Sequence, residues 1–279
     1  MKQMLIRIAT VFCWALCISP ASAESLYHFS VLNQRSPTLT AQYWNPILAY
    51  VSRKAGVELK LVMGRTAPET TALTVRGDAQ FAYTNHLFTT ERVKLGWKVI
   101  ARPDTNGIRG ELVTAEGSTI HRLEDLQDQT VAFPSAEAFV GYRVPMDVLL
   151  RKGIKVTPSF GGTQEGAMGQ LRAGRTVAAG VNEDVMEVYG RREKFRYRVL
   201  WTSETFFDLP IMVAPVVPKE VVKAVQSAFV EMQRDPEGRR ILEECATLLK
   251  LPGVVGFVMA GDHDYENYRA FFRNAQQKE

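Results

Sequence analysis

Residues 130–150 hold the densest set of chemically useful positions in the chain. An apolar strand over 131–133 runs into a Pro134-Ser135 corner, and the spacing predicts a helix directly after it. A helix start leaves backbone N–H groups without intrahelical acceptors, and the dipole adds positive potential there. The Ser135 hydroxyl and those amides together suit an anion or a polar ligand. Ser135 heads the candidates, against the competing reading of a plain turn or N-cap serine.

Other candidates sit at predicted strand ends or helix starts. Tyr83-Thr84-Asn85-His86 closes a strand, where Thr84 and Asn85 can donate to a ligand and Tyr83 can wall it; Asn85 equally well caps the following helix. His86 reads as a surface residue at that helix start. Arg65-Thr66 precedes a helix and Arg109 precedes a crossing strand, positions from which a guanidinium can neutralise a carboxylate or oxyanion, although most arginines are simply solvated. Thr163 and Gln164 follow a Gly-Gly turn, where capping alone would explain Thr163. Asn182 and Glu183 can likewise be a cap and an acidic first turn. Phe206-Phe207-Asp208 fits either hinge packing or a pocket.

Covalent chemistry finds no support in the sequence. No nucleophile elbow, phosphate-binding Walker loop, dinucleotide fingerprint or metalloprotease helix motif occurs. His28, His86, His121 and His263 are scattered, and Asp262-His263-Asp264 alone is a weak metal signal. The expected function is non-covalent binding, with no catalysis, no cofactor and no metal.

The elements that must position these groups alternate strand and helix almost without a break, which predicts an α/β fold with mostly parallel sheets. Strands are expected at 27–32, 58–62, 79–83, 97–101, 111–115, 131–133, 155–160, 177–181, 197–201 and 209–214. Helices are expected at 39–55, 68–75, 87–95, 138–151, 164–171 and 183–192, with a largely helical remainder from 217 packing back on the first part. In such sheets, loops at the carboxyl ends of strands line the ligand cleft.

The N-terminus reads as a secretory signal: Lys2 and Arg7, an apolar run over 8–18, then Ala21-Ser22-Ala23, with cleavage expected before Glu24. The run is shorter than the roughly twenty residues a membrane span needs. Cleavage lowers the basic count from 34 to 32 against 30 acids, a net charge near +2 that gives no support for nucleic-acid binding. It also removes Cys13 and Cys17, so Cys245 stands alone, no internal disulfide is possible, and a buried apolar role is expected for it.

The order and spacing of several segments resemble the phosphate/phosphite/phosphonate-binding group of periplasmic solute-binding proteins of ABC transporters. They are Pro46 with its amphipathic helix, Gly77 to Asn85, the 123–145 block, Gly162 to Gly174, and Val177 to Glu183. The resemblance implies a two-lobed type II fold with two crossing strands. Lobe 1 would comprise 24–110 and 215–279, and lobe 2 would comprise 111–214 including the crossings. It implies a monomer that closes on a small anionic solute and docks on an inner-membrane permease with a cytoplasmic ATPase. A sensor that presents ligand to a membrane histidine kinase is the alternative.

The departures fall on the binding positions. The Ser/Thr-rich motif of phosphonate-binding members is matched by Ala138-Phe139-Val140, with Val144-Pro145 kept. Their loop histidine is matched by Thr163, an aromatic by Thr84 with Tyr83 adjacent, and their acids by Glu183 and, offset by one, Asp208. Phe139 and Tyr83 imply a flatter or more apolar part in the ligand.

Overall fold

Capping side chains set where the helices begin. Ser36 accepts from the Leu39 amide, Thr163 from Gly166, Asn182 from Val185, and Asp235 from both Glu237 and Gly238, while proline occupies the first turn of several helices. The computed structural model describes residues 25–276; the expected leader and its cleavage point lie outside them. In chain order the elements are β1 (Leu26–Val31), α1 (Pro37–Ala55), β2 (Glu58–Val62), α2 (Ala67–Val75), β3 (Phe81–Tyr83), β4 (Lys98–Pro103) and β5 (Gly110–Ala115). There follow β6 (Thr130–Phe133), a π-helical turn (Phe139–Arg143) running into α3 (Val144–Arg151), β7 (Thr157–Phe160), α4 (Gln164–Arg172), β8 (Ala178–Asn182), α5 (Glu183–Glu193) and β9 (Tyr197–Thr202). The chain ends with β10 (Ile211–Val213), α6 (Lys219–Glu231), α7 (Pro236–Leu249), β11 (Phe257–Met259) and α8 (Glu266–Asn274).

Two sheets result, ordered β11-β4-β10-β3-β1-β2 and β7-β6-β8-β5-β9. Each keeps a parallel core, β3-β1-β2 in one and β7-β6-β8 in the other. The remaining pairings are antiparallel, so the sheets are mixed rather than mostly parallel. The cause is the crossing itself: a strand that returns from the other lobe enters its sheet reversed. Thus the return segment expected at 209–214 ends as β10, wedged between β3 and β4 of the first sheet. The two connections meet where Ile108 and Phe206 form an isolated antiparallel bridge.

Three local expectations change. Residues 87–95 form only a 3-10 turn at Arg92–Leu95, because the Thr89 hydroxyl takes the Arg92 amide and threonine favours such local bonds over a helix interior. The helix expected from 138 opens as a π turn. A Cβ on Gly110 would lie 2.2 Å from the Val140 carbonyl oxygen, and one on Gly180 2.6 Å from that of Gly141. Glycine at those positions lets this turn sit directly on β5 and β8. The edge strand β11, three residues long, is too short to carry an alternating signal.

The first lobe's core is rich in stacked rings, with Phe29, Trp44, Phe81, Phe229 and Phe257 in mutual contact. Cys245 is buried there, its thiol donating to the Tyr43 carbonyl oxygen at 3.4 Å and pushed up to about 11 by burial. The second lobe has smaller clusters on either face of its sheet. Among the described residues, no helix is long and apolar enough to cross a membrane.

Candidate functional site

The carboxyl ends of β1, β3, β6 and β8 point at one another across the gap between the lobes. They enclose a cavity of about 30 Å³, lined by Asn33 and Gln34 after β1, Asn85 and His86 after β3, Pro134 and Ser135 after β6, and Asn182 at the end of β8. Gln164 and the π turn, with Ala138, Phe139 and Val140, complete it. The volume holds one or two waters, so the site is tight in this arrangement.

Most polar side chains here are already committed. Asn33 donates to the Gly64 carbonyl oxygen at 2.9 Å and accepts from the Thr70 hydroxyl at 2.5 Å. Gln164 accepts from the Asn182 amide at 3.0 Å, and the Asn182 side chain caps α5. Ser135 is different: it is 2% exposed and its Oγ has no hydrogen-bond partner. A buried hydroxyl left unsatisfied costs about 1–3 kcal/mol, and nearly all buried polar atoms avoid that cost.

His86 is a correction to the surface position expected from sequence, since it is 3% exposed. Its Nδ1 lies 2.7 Å from the Thr71 hydroxyl, whose own proton goes to the Ala67 carbonyl oxygen, so Nδ1 carries the hydrogen. Burial lowers its pKa despite the nearby Glu137. At neutral pH it is therefore uncharged, and the cation that partners Glu137 is Arg92. Burial alone would raise Glu137, but the adjacent His86 ring and the Arg92 guanidinium outweigh that and hold it at about 2. Glu137 lies in the part of the chain that carries the second sheet and Arg92 in the part that carries the first, so this pair ties the two together. On another side of the gap the Ala67 amide donates to the Gly162 carbonyl oxygen at 3.2 Å, and the Gly162 φ of 78° presents that carbonyl.

A second, larger cavity of about 400 Å³ adjoins the first and shares Gln34 and Asn182 with it. Tyr43, Trp44 and Tyr83 form its aromatic side. The outgoing connection at 103–108 and the loop from Leu251 to Val255 enclose it, and Arg35, Asp184 and Asp208 add charge. The Trp44 and Tyr83 ring centroids are 4.8 Å apart. Burial, reinforced by the like charge of Asp184, raises Asp208 to about 6, with the Leu209 amide at 2.6 Å, Arg35 and Tyr83 opposing. Asp184 is raised as well, by burial and then by Glu183 and Glu187. Arg35 has no hydrogen-bond or ion-pair partner among the described residues.

The candidates from sequence therefore divide. Ser135, Asn85, Phe139, Gln164 and Asn182 line the small cavity, and Tyr83, Asn182 and Asp208 the large one. Phe139 is also committed to packing, stacked 4.2 Å from Tyr268 and edge-on to Phe206. Thr84 is buried and accepts from the His86 amide. Thr66 caps α2 and Thr163 caps α4. Arg65 is exposed and lines neither cavity, as does Arg109, whose guanidinium grips Glu183 through two 2.6 Å bonds. Sequence reasoning missed Asn33, Gln34 and Arg35, although the strand-end rule that selected 83–85 applies equally to the end of β1. It also missed Tyr43, Trp44, Asp184 and the 249–255 loop. Among the described residues no cluster of metal-ligating side chains forms.

Two lobes of mixed sheet, two crossings and a polar cavity at the strand tips define a type II binding protein. The family model for periplasmic substrate-binding proteins of ABC phosphonate transporters matches residues 29–265, and the chain belongs to that family. Its members are substrate-binding proteins rather than enzymes, which implies a small solute as ligand, a permease and ATPase as partners, and a periplasmic location. No curated protein sequence matches. Among solved structures, a binding-protein component of an ABC phosphonate transporter from Pseudomonas aeruginosa aligns with TM-score 0.74 at 17% identity, covering 88% of this chain and 85% of that one. A phosphonate-binding protein from Prochlorococcus marinus, in complex with methylphosphonate, aligns with TM-score 0.75 at 15% identity, over 89% and 97% of the two chains. A Xanthomonas citri protein bound to ATP aligns with TM-score 0.67 at 14% identity, over 91% and 100%. At these identities the likeness is one of fold.

Proposed function

We propose that the protein captures a small oxyanion-bearing solute, of the phosphonate, phosphate or phosphite kind, in the sheet-tip cavity and delivers it to an inner-membrane permease. The observation that carries this reading is the Ser135 hydroxyl, buried at the interface of both lobes without a partner. A phosphoryl oxygen supplies the acceptor it lacks, and a hydrogen bond to a charged group is worth about 1.5–3 kcal/mol. The amides opening the 139–151 helical segment add donors and positive potential without a formal charge.

Closure follows from contacts that exist only when both halves touch the ligand: Asn85 comes from the first lobe, Ser135 and Gln164 from the second. A ligand shifts the open–closed equilibrium by its extra affinity for the closed state. Both halves belong to one chain, so a monomer suffices. The leader at 1–23, cleaved after Ala23, would place the mature chain in the periplasm.

The test is a titration of the mature protein with phosphate, phosphite and methylphosphonate, read by tryptophan fluorescence and thermal shift. A binding anion at a hundredfold excess over Kd stabilises by about 2.7 kcal/mol. If none of the three moves either signal, the oxyanion reading fails.

A further inference from the structure

Two side chains that line the small cavity keep a polar atom with nothing to bond to, and the two atoms are of opposite kind. One is the Ser135 hydroxyl, a donor without a partner. The other belongs to His86, which is 3% exposed and lines the same cavity from the β3 side. Its Nδ1 lies 2.7 Å from the Thr71 hydroxyl oxygen and 3.4 Å from the Glu137 carboxylate. Both of those oxygens accept, since Thr71 gives its proton to the Ala67 carbonyl oxygen. The hydrogen therefore sits on Nδ1, and Nε2 carries a lone pair with no hydrogen-bond partner among the described residues. The charged groups that face His86 are Glu137 after β6, Arg92 on the 3-10 turn and Arg143 on the π turn, and burial outweighs the carboxylate to keep the ring neutral at pH 7. Ser135 and His86 do not bond each other, because the Ser135 oxygen has no partner at all. A donor and an acceptor that miss each other across one cavity fit a guest that both accepts and donates. No lysine or arginine lines this cavity, while Arg92 and Arg143 line a separate one with Glu137. A second negative charge on the guest would be buried without compensation.

We propose that His86 is a specificity-determining residue: its Nε2 accepts a hydrogen bond from the ligand, so the site selects the protonated, singly charged form of the oxyanion. The P–OH group donates to Nε2, and an ionised oxygen accepts from Ser135. This rests on the oxyanion reading and adds the ligand's protonation state to it. A fully ionised oxyanion brings acceptors only, so one of its oxygens would meet the Nε2 lone pair. An anion of the same shape and charge but without the hydroxyl leaves Nε2 unpaired, and a site built to bond a hydroxyl rejects such an analogue strongly. Burial holds the His86 pKa down, which keeps the acceptor available through the neutral range. In acid a proton on Nε2 turns that acceptor into a donor, and the preference is lost.

Methylphosphonate and methanesulfonate make the test, because the two monoanions share size, shape and charge and only the phosphonate keeps a hydroxyl. Isothermal titration of the mature protein at pH 7 should show methylphosphonate tighter by at least about tenfold. Above neutral pH methylphosphonate loses its second proton, and its affinity should fall by up to about tenfold per pH unit. Methanesulfonate keeps its charge, so its profile reports any titration of the protein itself and should stay level. His86→Gln sets an amide oxygen near the Nε2 position and should retain the preference, whereas His86→Leu should reduce it to within about threefold, with thermal melts confirming that both variants fold. The wild-type comparison and its pH profile stand whether or not they do. Methanesulfonate binding as tightly as methylphosphonate overturns the proposal, as does methylphosphonate affinity that holds or rises with pH, or a preference that survives His86→Leu. Each of those results leaves the oxyanion reading standing, since methylphosphonate still binds. No binding by methylphosphonate, phosphate or phosphite sinks both.

Discussion

The two cavities differ in kind as well as size. At the sheet tips the Asn33, Gln164 and Asn182 side chains are already bonded to protein, no cation lines the cavity, and the Ser135 hydroxyl is left over. In the larger cleft the walls are aromatic and aliphatic, and Arg35, Asp184 and Asp208 lack ion-pair partners among the described residues. A site whose polar atoms are committed to its own framework is rigid and selects by shape and by the few donors remaining. A site with uncommitted charges selects by electrostatic complement.

The hardest blow to that division would fall on Ser135. Ser135→Ala removes the unsatisfied buried hydroxyl of the small cavity, so affinity for every oxyanion should drop about 10- to 100-fold, the equivalent of a hydrogen bond to a charged group. The same change should leave the unliganded protein equally stable or more so, since an uncompensated buried hydroxyl disappears. Loss of binding with an unchanged or raised melting temperature supports the assignment. Unchanged affinity would shift recognition wholly to the larger cleft.

Next in size are two carboxylates with opposite pH signatures. Glu137, beside the small cavity, has a folded pKa of about 2, below its ordinary 4.5. Its stabilisation is therefore present above about 4.5 and is lost as pH falls toward 2. Glu137→Gln should cost about 2 kcal/mol at pH 7 and flatten that acid limb, and it should also weaken ligand binding by loosening the Arg92 fastening across the lobes. Asp208 in the larger cleft has a folded pKa of about 6, above its ordinary 3.8. Its ionised form costs stability, a cost absent below about 3.8 and complete above 6. Asp208→Asn should raise the melting temperature at pH 8 by a few degrees, about 1 kcal/mol, and change nothing at pH 3.5. Thermal melts from pH 3 to 8 on both variants read the two limbs directly.

The contrast also explains what could be read in advance. The alternation of strands and helices, the Pro134-Ser135 corner and the strand-end rule placed Ser135, Asn85, Gln164 and Asn182 at one cavity because Ser135 and Asn85 follow their strands by two residues, Asn182 ends β8 and Gln164 opens α4. The larger cleft draws on residues from Gln34 to Val255. The helix α1 that carries Trp44 shows only an apolar face in sequence, and nothing local indicates that Trp44 borders a cavity. Asp184 reads as an acidic first-turn residue, which it also is. The sheets' mixed direction was hidden for the same reason: β10 is three residues long and its neighbours come from distant parts of the chain.

The smallest effect is expected at Arg109. Its position before a crossing strand suggests a guanidinium facing the ligand, and on that basis Arg109→Ala would weaken binding at least tenfold. In the structure both its Nε and a terminal nitrogen are taken by Glu183, the group is exposed, and it lines neither cavity. An exposed ion pair is worth about 0–1 kcal/mol even when the geometry is bidentate. Arg109→Ala should therefore leave phosphate and methylphosphonate affinities within about twofold and shift the melting temperature by about 2 °C or less. A tenfold loss confined to one ligand would instead mean that Arg109 releases Glu183 and turns inward when that ligand binds, and the charge balance of the larger cleft would have to be redrawn around it.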